Sequence, residues 1–495
     1  MVLPRKETRN ILYLLSGITM NVIAAYIARR IGLPIYLDTI GTVFVAASMG
    51  LFPGIVAAVA TNTLCLLFNP DAIYFSIVNV MIAAYATWFG SRYSFRKYGK
   101  TVRFCLGCGL ISGAASALIQ WNVLGGPQNA AVADLMETIT AFPRLPVFLI
   151  LNIILNIFDK GVSVGIALLA FSFIPDEKLN SIMSFGWKQR PLTDEQIKAI
   201  RKHGTDGRSS IRTRMSLIIV GVSFILVVIM GVISTHLYFE NVKEEKKQAA
   251  VSAARFAAQL IDGDRVSEYI VSGRDIRNYN ETEKILYGIL DSTPDVGYIF
   301  AIKFEKEGAY SVFDIYKGEE TVYNPGDRVE IEEDFEPYMK EILAGREVDT
   351  VEWSDFKQWT LTALYPVRNK DGKTVCYAGA DASLDYMAVH MRDFVIKVVL
   401  TLSGFFVLAI AFGLWTTSVY TVYPIGSITA CIDGFAGSDD AQARLDENVK
   451  LIRALDIHTG DEVERLYQAI CNMTLEQAEK MRQIRHFSEE TSKMQ

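Results

Sequence analysis

The sequence predicts a multidomain membrane protein with an α-helical bundle of six spans, two further spans, an α+β domain between those two, and a helical segment after the last. Three observations predict this class. Apolar residues make up 51% of the 495 residues and are gathered in long runs. Two runs, 215–238 and 393–421, exceed about 18 residues with almost no charge, enough to cross a bilayer. The polar block between them, 239–392, is long enough to form a domain.

Composition excludes several classes of function. The formal net charge of −6 argues against a nucleic-acid-binding protein, so we expect no nucleic acid as a partner. Only Cys376 falls in the block 239–392, so that domain has no internal disulfide. Cys105 and Cys108 form a CxxC pair inside an apolar run, which we interpret as helix packing rather than a metal or redox site. We predict no cofactor, no metal and no catalytic residue.

The first 175 residues are predicted to form the six-span membrane domain. The apolar run that follows Arg5, Lys6 and Arg9 is too long for the core of a signal peptide, and further runs follow at once. We therefore interpret it as a true first helix that starts in the cytoplasm. The six predicted spans cover residues 11–28, 35–51, 53–68, 72–90, 102–124 and 146–173.

Basic residues predict the orientation of the chain. Five fall in 92–103, between the fourth and fifth spans, and nine fall in 176–214, after the sixth. Since positive charge is retained on the cytoplasmic side, both stretches are expected inside, and Arg29 and Arg30 are exceptions. The protein is then a multi-pass plasma-membrane protein with 239–392 outside and 422–495 in the cytoplasm. The linker 176–214 is expected to lie near anionic membrane lipid.

Polar side chains within the six-span domain predict a small-molecule pocket. Asn152, Asn156 and Asp159 are spaced by four and then three residues, so they share one face of a helix. Ionisable residues at membrane depth are costly and usually face a cavity or one another. With Asp38 and Asn62 they are candidates to line a pocket between helices. The alternative is that these groups only form hydrogen bonds between helices.

The run LPIYLDTIGTVFVAASMGLFPGIVAAVATN over residues 33–62 lies in a six-helix block whose two ends are predicted inside. This block resembles the substrate-binding S component of energy-coupling-factor (vitamin) transporters. The resemblance implies a membrane domain that binds a vitamin or a metal and works with a separate coupling protein and ATPases. Solute binding or transport is therefore an alternative function for the chain, although the covalent link to a second domain favours sensing.

The block 239–392 is predicted to contain one long helix followed by a mainly antiparallel sheet. Apolar residues over 241–262 recur at helical spacing. Asn324–Asp327 and Asn369–Gly372 have turn compositions, and a short helix is expected over 333–344. The predicted strands are rich in aromatic and β-branched residues and cover 296–304, 310–316, 349–354, 359–367 and 374–384.

With LTALYPVRNKDGKTVCYAGADASLD at its end (361–385), this order resembles an extracellular Cache domain, the PAS-like sensor module of bacterial receptors. The resemblance implies a small ligand on one face of the sheet, under a flap of loop and helix, and Asp381 matches an aspartate that binds the ligand amine in amino-acid-binding relatives. Aromatic walls with one acid and one base suit a zwitterion or an organic acid. The alternative is ordinary sheet packing. Strand alternation and the loop propose Tyr298, Phe313, Tyr323, Arg328, Trp353, Trp359, Tyr365 and Asp381 as ligand-binding residues.

After the last span, Tyr423-Pro-Ile-Gly-Ser precedes two predicted amphipathic helices, 425–435 and 461–481. The second begins at Gly-Asp-Glu-Val-x-Arg-Leu (460–466), where Thr459 and Asp461 are candidate caps. Residues 422–480 resemble a HAMP domain, a signal relay that forms a parallel four-helix bundle from two chains. The resemblance implies a parallel homodimer, because the apolar stripe of each chain needs a partner to cover it.

Residues 481–495 are predicted to start a signalling helix, and no catalytic motif is found in the sequence. The ending Glu-Thr-Ser-Lys-Met-Gln resembles the lead-in to HD-GYP phosphohydrolases of similar receptors. These features predict a transmembrane sensory receptor that binds a small extracellular ligand and relays a signal to a cytoplasmic output. The alternatives are a membrane solute-binding or transport protein, and a truncated HD-GYP receptor that hydrolyses cyclic dinucleotides.

Overall fold

The computed structural model describes residues 5–93, 98–172, 186–193, 195–197, 200, 211–317, 323–354, 359–435 and 441–494. Two compact units are present. The first contains Met1–Met230 and Lys397–Gln495, and the second contains Gly231–Ile396. The predicted linker 176–214 lies partly outside the described residues, and Gln495 lies wholly outside them.

The first unit begins with a helical domain. Its helices are α1 (Arg5–Ile31), α2 (Ile40–Met49), α3 (Leu51–Cys65), a 3-10 turn (Pro70–Phe75), α4 (Ser76–Arg92), α5 (Tyr98–Val123), α6 (Ala130–Thr138) and α7 (Arg144–Ser172). Helix α6 was not predicted. Its start is capped by the Asn129 side chain, which accepts a hydrogen bond from the Ala131 N–H.

Six apolar helices are long enough to cross a membrane in the described residues, which is compatible with a multi-pass membrane protein. Four lie in the helical domain: Thr8–Ile31, Pro70–Arg92, Gly99–Val123 and Arg144–Ala170. The second and third predicted spans are not among them. Helices α2 and α3 have 10 and 15 residues, and at 1.5 Å per residue they extend about 15 and 22 Å, against about 30 Å of hydrocarbon. Gly50, with φ of 94°, separates them in a conformation that favours glycine.

The second unit contains a six-stranded antiparallel sheet in the order β3-β2-β1-β6-β5-β4. Its strands are β1 (Val296–Glu305), β2 (Gly308–Tyr316), β3 (Arg328–Val329), β4 (Val351–Ser354), β5 (Trp359–Arg368) and β6 (Thr374–Ser383). Five of them confirm the predicted strands, and the short β3 was not predicted. Both predicted turns form, since the Asp327 N–H donates to the Asn324 carbonyl and the Gly372 N–H donates to the Asn369 carbonyl.

Helices cover one face of this sheet. They are the C-terminal part of α8 (Ile211–Leu260), α9 (Val266–Ser272) and α10 (Arg277–Ser292), and the last two were not predicted. The alanines of α8 between Ala250 and Ala258 are buried in the core of the domain, with Leu286 and Leu290 from α10. Small side chains let a long helix lie close to the sheet, so this face is a packed hydrophobic core.

A flap covers the opposite face. It consists of a 3-10 turn (Glu333–Tyr338) and α11 (Met339–Leu343), close to the predicted helix. Phe335 and Ile342 of the flap pack with Phe300, Leu364 and Tyr377 of the sheet. A side chain on Gly379 would collide with the Phe300 ring, so glycine leaves room for that ring.

The chain after β6 is helical in the described residues. Helix α12 (Asp385–Thr417) continues through a π-helical turn (Ser418–Val422) into α13 (Tyr423–Asp433), and α14 (Ala441–Arg453) and α15 (Glu462–Met494) follow. Helices α13 and α15 lie where two amphipathic helices were predicted, whereas α14 was not predicted. Of the two candidate caps of α15, Asp461 is confirmed, because the Val463 N–H donates to its carboxylate at 3.0 Å. The Thr459 hydroxyl donates to Asp461 instead of accepting from the helix. Ile428, Ile452, Ile457 and Tyr467 pack together between these segments.

Candidate functional site

A cavity of about 640 Å³ opens within the helical domain. Drug-sized ligands occupy clefts of about 300–1,000 Å³. The end of α1 and the loop that follows it form one wall, and the 3-10 turn with α3, α4, α5, α6 and α7 contributes the others. The polar residues that line it are Arg29, Tyr36, Asp38, Asn62, Cys65, Asn69, Asp71, Asn79, Ser112, Ser116, Gln120, Gln128, Asn129, Asp134, Asn156 and Lys160.

A buried ionic cluster lies at the base of this cavity. The Lys160 ammonium is 2.7 Å from the Asp159 carboxylate and 3.4 Å from the Asp38 carboxylate, and it donates to the Thr39 hydroxyl at 3.0 Å. The side chains of Lys160 and Asp159 are 3% and 0% exposed, whereas that of Asp38 is 21% exposed. Charges buried this deeply persist only when paired, since desolvation costs several kcal/mol per ion. Asp38 is the member of the cluster that both lines the cavity and remains accessible.

Asp159 also holds the loop between α1 and α2. Its Oδ1 accepts the backbone N–H groups of Tyr36 and Leu37, both at 2.9 Å. Leu37 has φ of 51°, a left-handed conformation that is costly for a bulky residue and persists only when its surroundings impose it. Asp159 therefore positions the loop that forms the cavity wall rather than lining the cavity itself.

A chain of amides connects the ionic cluster to α3. The Asn79 Nδ2 donates to the Asp38 Oδ2 and to the Asn62 Oδ1, both at 2.9 Å. The Asn62 Nδ2 is buried and has no hydrogen-bond partner among the described residues. An orphaned buried donor costs about 1–3 kcal/mol. Because Asn62 lines the cavity, a ligand acceptor there would recover that cost.

The structure brings together three of the five residues predicted for this pocket. Asp38, Asn62 and Asn156 line the cavity, while Asp159 and Asn152 lie behind it. The Asn156 Nδ2 donates to the Asn152 side-chain oxygen at 2.8 Å, so Asn152 orients its neighbour. Further lining groups were missed, among them Lys160, Asn79, Gln120, Ser112 and Ser116. The signal for Lys160 was present in the sequence, since it follows Asp159 inside an apolar run.

The flap face of the sheet carries a second polar site. The Tyr298 hydroxyl donates to Asp314, the Thr362 hydroxyl donates to Asp381 at 2.6 Å, and the Trp353 Nε1 donates to Thr362 at 2.9 Å. These five residues come from β2, β1, β6, β5 and β4, so they form a row across the sheet. A row of this kind offers two carboxylates and two aromatic surfaces to one small ligand.

Asp381 is the perturbed group of this row. Burial raises the pKa of its carboxyl to about 7, and the Thr362 hydroxyl opposes the shift without cancelling it. Burial also raises the pKa of Tyr298, and its hydrogen bond to Asp314 adds to that effect. A buried carboxyl with a pKa near neutrality is a candidate for ligand binding, because a cationic ligand group restores the ionised form.

The eight residues proposed for the sheet site do not share one face. Tyr298, Trp353 and Asp381 lie on the flap face, and Tyr323 contributes its backbone N–H to Asp314 at 2.9 Å. Arg328 is exposed at the β3 edge and donates to the Glu307 carbonyl at 3.2 Å.

Phe313, Trp359 and Tyr365 lie on the helix face, so the shared face assigned to them is wrong. Phe313 stacks on Tyr279 with ring centroids 4.4 Å apart, Trp359 stacks on Phe239 at 5.9 Å, and Tyr365 packs against the same core. The reason is that both faces of this sheet are covered. Aromatic residues therefore occur on both, and alternation alone cannot identify the ligand face.

The two sites suit small organic ligands of different character. The cavity contains the Asp38 carboxylate and the Asn62 side chain, and the sheet face carries the Asp381 carboxyl, which accepts from the Thr362 hydroxyl. Comparison with known proteins found no family model, no curated protein and no solved structure that matches this chain.

Proposed function

We propose that the protein is a transmembrane sensory receptor in which the sheet domain, a Cache-like module, binds a small extracellular ligand. Helices α13–α15, a HAMP-like segment, then relay the signal to a cytoplasmic output. The single observation that carries this proposal is helical continuity at both ends of the sheet domain. Helix α8 runs unbroken from a membrane-length apolar stretch to alanines of the sheet-domain core. Strand β6 ends at Ser383, and α12 begins at Asp385.

This continuity supports a signalling role because it places the proposed ligand contact close to an exit helix. Asp381 lies on β6, near the end of the strand that leads into α12. A ligand that draws β6 toward the flap would displace the start of α12. Such a ligand shifts the receptor only if it binds the two arrangements of α12 with different affinity.

The ligand we propose is an amine-bearing zwitterion or a related small organic molecule. Asp381 would contact the amine, and the rings of Tyr298 and Trp353 would flank the ligand. A positive group beside Asp381 favours the ionised carboxylate and offsets the desolvation that raises its pKa. Phe313, Trp359 and Tyr365 leave the proposed ligand set because they belong to the helix-face core.

A thermal-shift screen of the fragment 239–392 against amino acids, organic acids and polyamines tests the sheet site. We expect one class to raise the melting temperature of the wild-type fragment. Asp381→Asn should remove that shift, and Asp371→Asn, on the exposed hairpin, should preserve it. The proposal is refuted if no class stabilises the fragment, or if both variants respond as the wild type does.

The proposed relay acts as a parallel homodimer. In the single chain Leu466 and Met473 of α15 are 48% and 53% exposed, and they recur at heptad spacing. Burial of such a stripe against a second copy stabilises a coiled coil. Leu466→Cys should form an interchain disulfide in membranes, whereas Gln468→Cys, at an exposed position off the stripe, should not. Equal cross-linking at the two positions would contradict a parallel pair.

Solute binding or transport by the helical domain is a second candidate function. The cavity with its buried ionic cluster favours it, because such a site is built to hold a polar ligand at membrane depth. Vesicle uptake assays separate the two functions. Net accumulation of a solute inside vesicles that contain this chain and its coupling proteins would favour transport, and binding without accumulation would favour sensing.

A further inference from the structure

We propose that the helical domain is a second input to the relay. In this scheme a small monocationic organic molecule in the cavity changes the packing of α12 and of α13–α15 through two direct contacts. The proposal goes beyond ligand binding by the sheet domain. It rests on the proposed relay role of α13–α15, and its tests use no ligand of the sheet domain.

The charges around the cavity specify the ligand. Asp159 is the nearer carboxylate to Lys160, at 2.7 Å against 3.4 Å for Asp38, and its other oxygen accepts two backbone N–H groups. Lys160 therefore serves two carboxylates, so the buried cluster holds one more carboxylate than ammonium. Asp38 is the member that both lines the cavity and remains accessible, and a low-dielectric surrounding strengthens its attraction for a cation.

The first contact joins the cavity walls to α12. Asn62 of α3 and Asn79 of α4 line the cavity, and other faces of these helices pack on α12. The packed residues are Ile55, Ala58, Val59 and Val80 against Val407, Leu408 and Ala411. A Cβ added at Gly404 of α12 would lie 2.7 Å from the Ser76 Cβ, so the two helices approach closely.

This contact continues toward the end of α12. The ring of Phe52, at the start of α3, stacks on Trp415 with centroids 4.8 Å apart and planes 24° apart. Close-packed interfaces shift between discrete arrangements rather than deforming smoothly. A ligand in the cavity that displaces α3 or α4 therefore changes how these helices pack on α12.

The second contact is a clasp, residues 186–190, which follow the helical domain in the chain. The Arg190 N–H donates to the Leu455 carbonyl at 3.1 Å, and the His458 N–H donates to the Lys188 carbonyl at 2.7 Å. These two backbone bonds join the clasp to the connector before α15, in the manner of a short strand pair.

Side chains of the clasp also contact α13. The Gln189 Nε2 donates to the Ser427 hydroxyl at 2.8 Å, and both side chains are buried. Trp187 stacks on Tyr423 with centroids 5.1 Å apart and planes 8° apart. The chain segment that leaves the helical domain thus contacts both the start of the relay and the connector before its last helix.

A pair of isosteric probes tests the ligand class on the full chain in lipid nanodiscs. Benzamidine carries one positive charge, and benzamide has the same shape without it. We expect benzamidine to bind at least about tenfold more tightly, since a partly desolvated ion pair is worth more than about 1.4 kcal/mol. Asp38→Asn should remove this preference. Equal affinity for the two probes, or a preference that survives Asp38→Asn, would overturn the assignment of a cationic ligand.

Amide exchange of the clasp tests the coupling. Ser116 is buried and lines the cavity on α5, so Ser116→Phe mimics occupancy, whereas Leu118→Phe adds bulk at an exposed position of the same helix. We expect Ser116→Phe to change exchange at Arg190 and His458 at least about threefold, as expected for a shifted local opening equilibrium. Leu118→Phe should leave it unchanged.

Benzamidine guards against a folding defect of Ser116→Phe, because it should change exchange at the clasp of the wild-type chain and should not do so in Asp38→Asn. If benzamidine binds the full chain but leaves clasp exchange unchanged, and Ser116→Phe does not alter it either, the coupling does not exist. Asp381→Asn should not affect these measurements. The outcome of these measurements therefore does not depend on whether the sheet domain binds a ligand.

Discussion

Replacing Asp381 by asparagine should remove a pH dependence from the stability of the sheet domain. Burial raises the pKa of this carboxyl from its ordinary value of 3.8 to about 7. In the unfolded chain the carboxyl ionises near its ordinary pKa, whereas in the folded domain it keeps its proton up to about pH 7. The folded state therefore binds more protons between these values, so stability must fall as pH rises through that window.

The magnitude follows from the size of the shift. Each pKa unit corresponds to about 1.36 kcal/mol. Between about pH 5 and pH 7 the unfolded carboxyl is ionised and the folded one is protonated, so the wild-type domain loses about 3 kcal/mol from this group alone. Above about pH 7 both forms are ionised and the loss stops. The asparagine side chain does not titrate in this range, so it contributes no pH dependence.

Urea unfolding of the fragment 239–392 at about pH 5 and about pH 8 measures this difference. The wild-type free energy of unfolding should fall by about 3 kcal/mol more than that of Asp381→Asn. Asp371→Asn, on the exposed hairpin, provides the matched control and should follow the wild type. The reasoning is refuted if the Asp381→Asn variant keeps the wild-type slope, because the slope would then come from other groups.

Three further substitutions test the packing and the capping of the fold. Gly379→Ala sets a methyl against the Phe300 ring and should destabilise the sheet domain by about 1–3 kcal/mol in urea unfolding. Asp461→Ala removes the cap of α15 and should cost about 1 kcal/mol, seen as faster amide exchange in its first turn. Asp159→Ala leaves Lys160 without its nearer carboxylate and should cost about 3–5 kcal/mol in thermal unfolding of the full chain.

Matched variants define the controls for these substitutions. Gly297→Ala adds its methyl where no atom lies within 4 Å, so it should leave the sheet domain almost unchanged. Asp134→Ala removes an exposed carboxylate at the cavity rim and should have little effect on thermal unfolding. A loss in either control equal to that of its partner would show that the named contact is not the cause.

Periodicity in the sequence predicts most elements, because burial imposes a spacing of two on strands and about 3.6 on helices. It fails at the outer ends of the second and third predicted spans. Residues 35–39 and 66–68 were included in spans 35–51 and 53–68 but lie outside α2 and α3, so both helices fall below membrane length. It also fails for α14, whose many polar residues resemble a loop in the sequence but pack through Ile452.

The candidate sites were predicted in part, and the limits have physical reasons. Asp38, Asn62 and Asn156 could be grouped because polar residues at membrane depth must find one another or a cavity. The role of Asp159 could not be foreseen, since its partners are backbone N–H groups of a distant loop that carry no sequence signal. The face of Trp359 and Tyr365 was misassigned because a sheet covered on both sides gives no polar face to fix its register.

The two proposed inputs share α12, and this has a thermodynamic consequence. If occupancy of the cavity changes the affinity of the sheet site by some factor, the sheet ligand must change the affinity of the cavity by the same factor. Binding of benzamidine measured with and without the sheet ligand, and the reverse titration, should therefore give equal ratios. Asp38→Asn should remove binding to the cavity and leave the sheet site intact, so benzamidine should no longer change the affinity of the sheet site. If neither ligand changes the affinity for the other, the two inputs act on the relay separately. The two ends of α12 would then move independently.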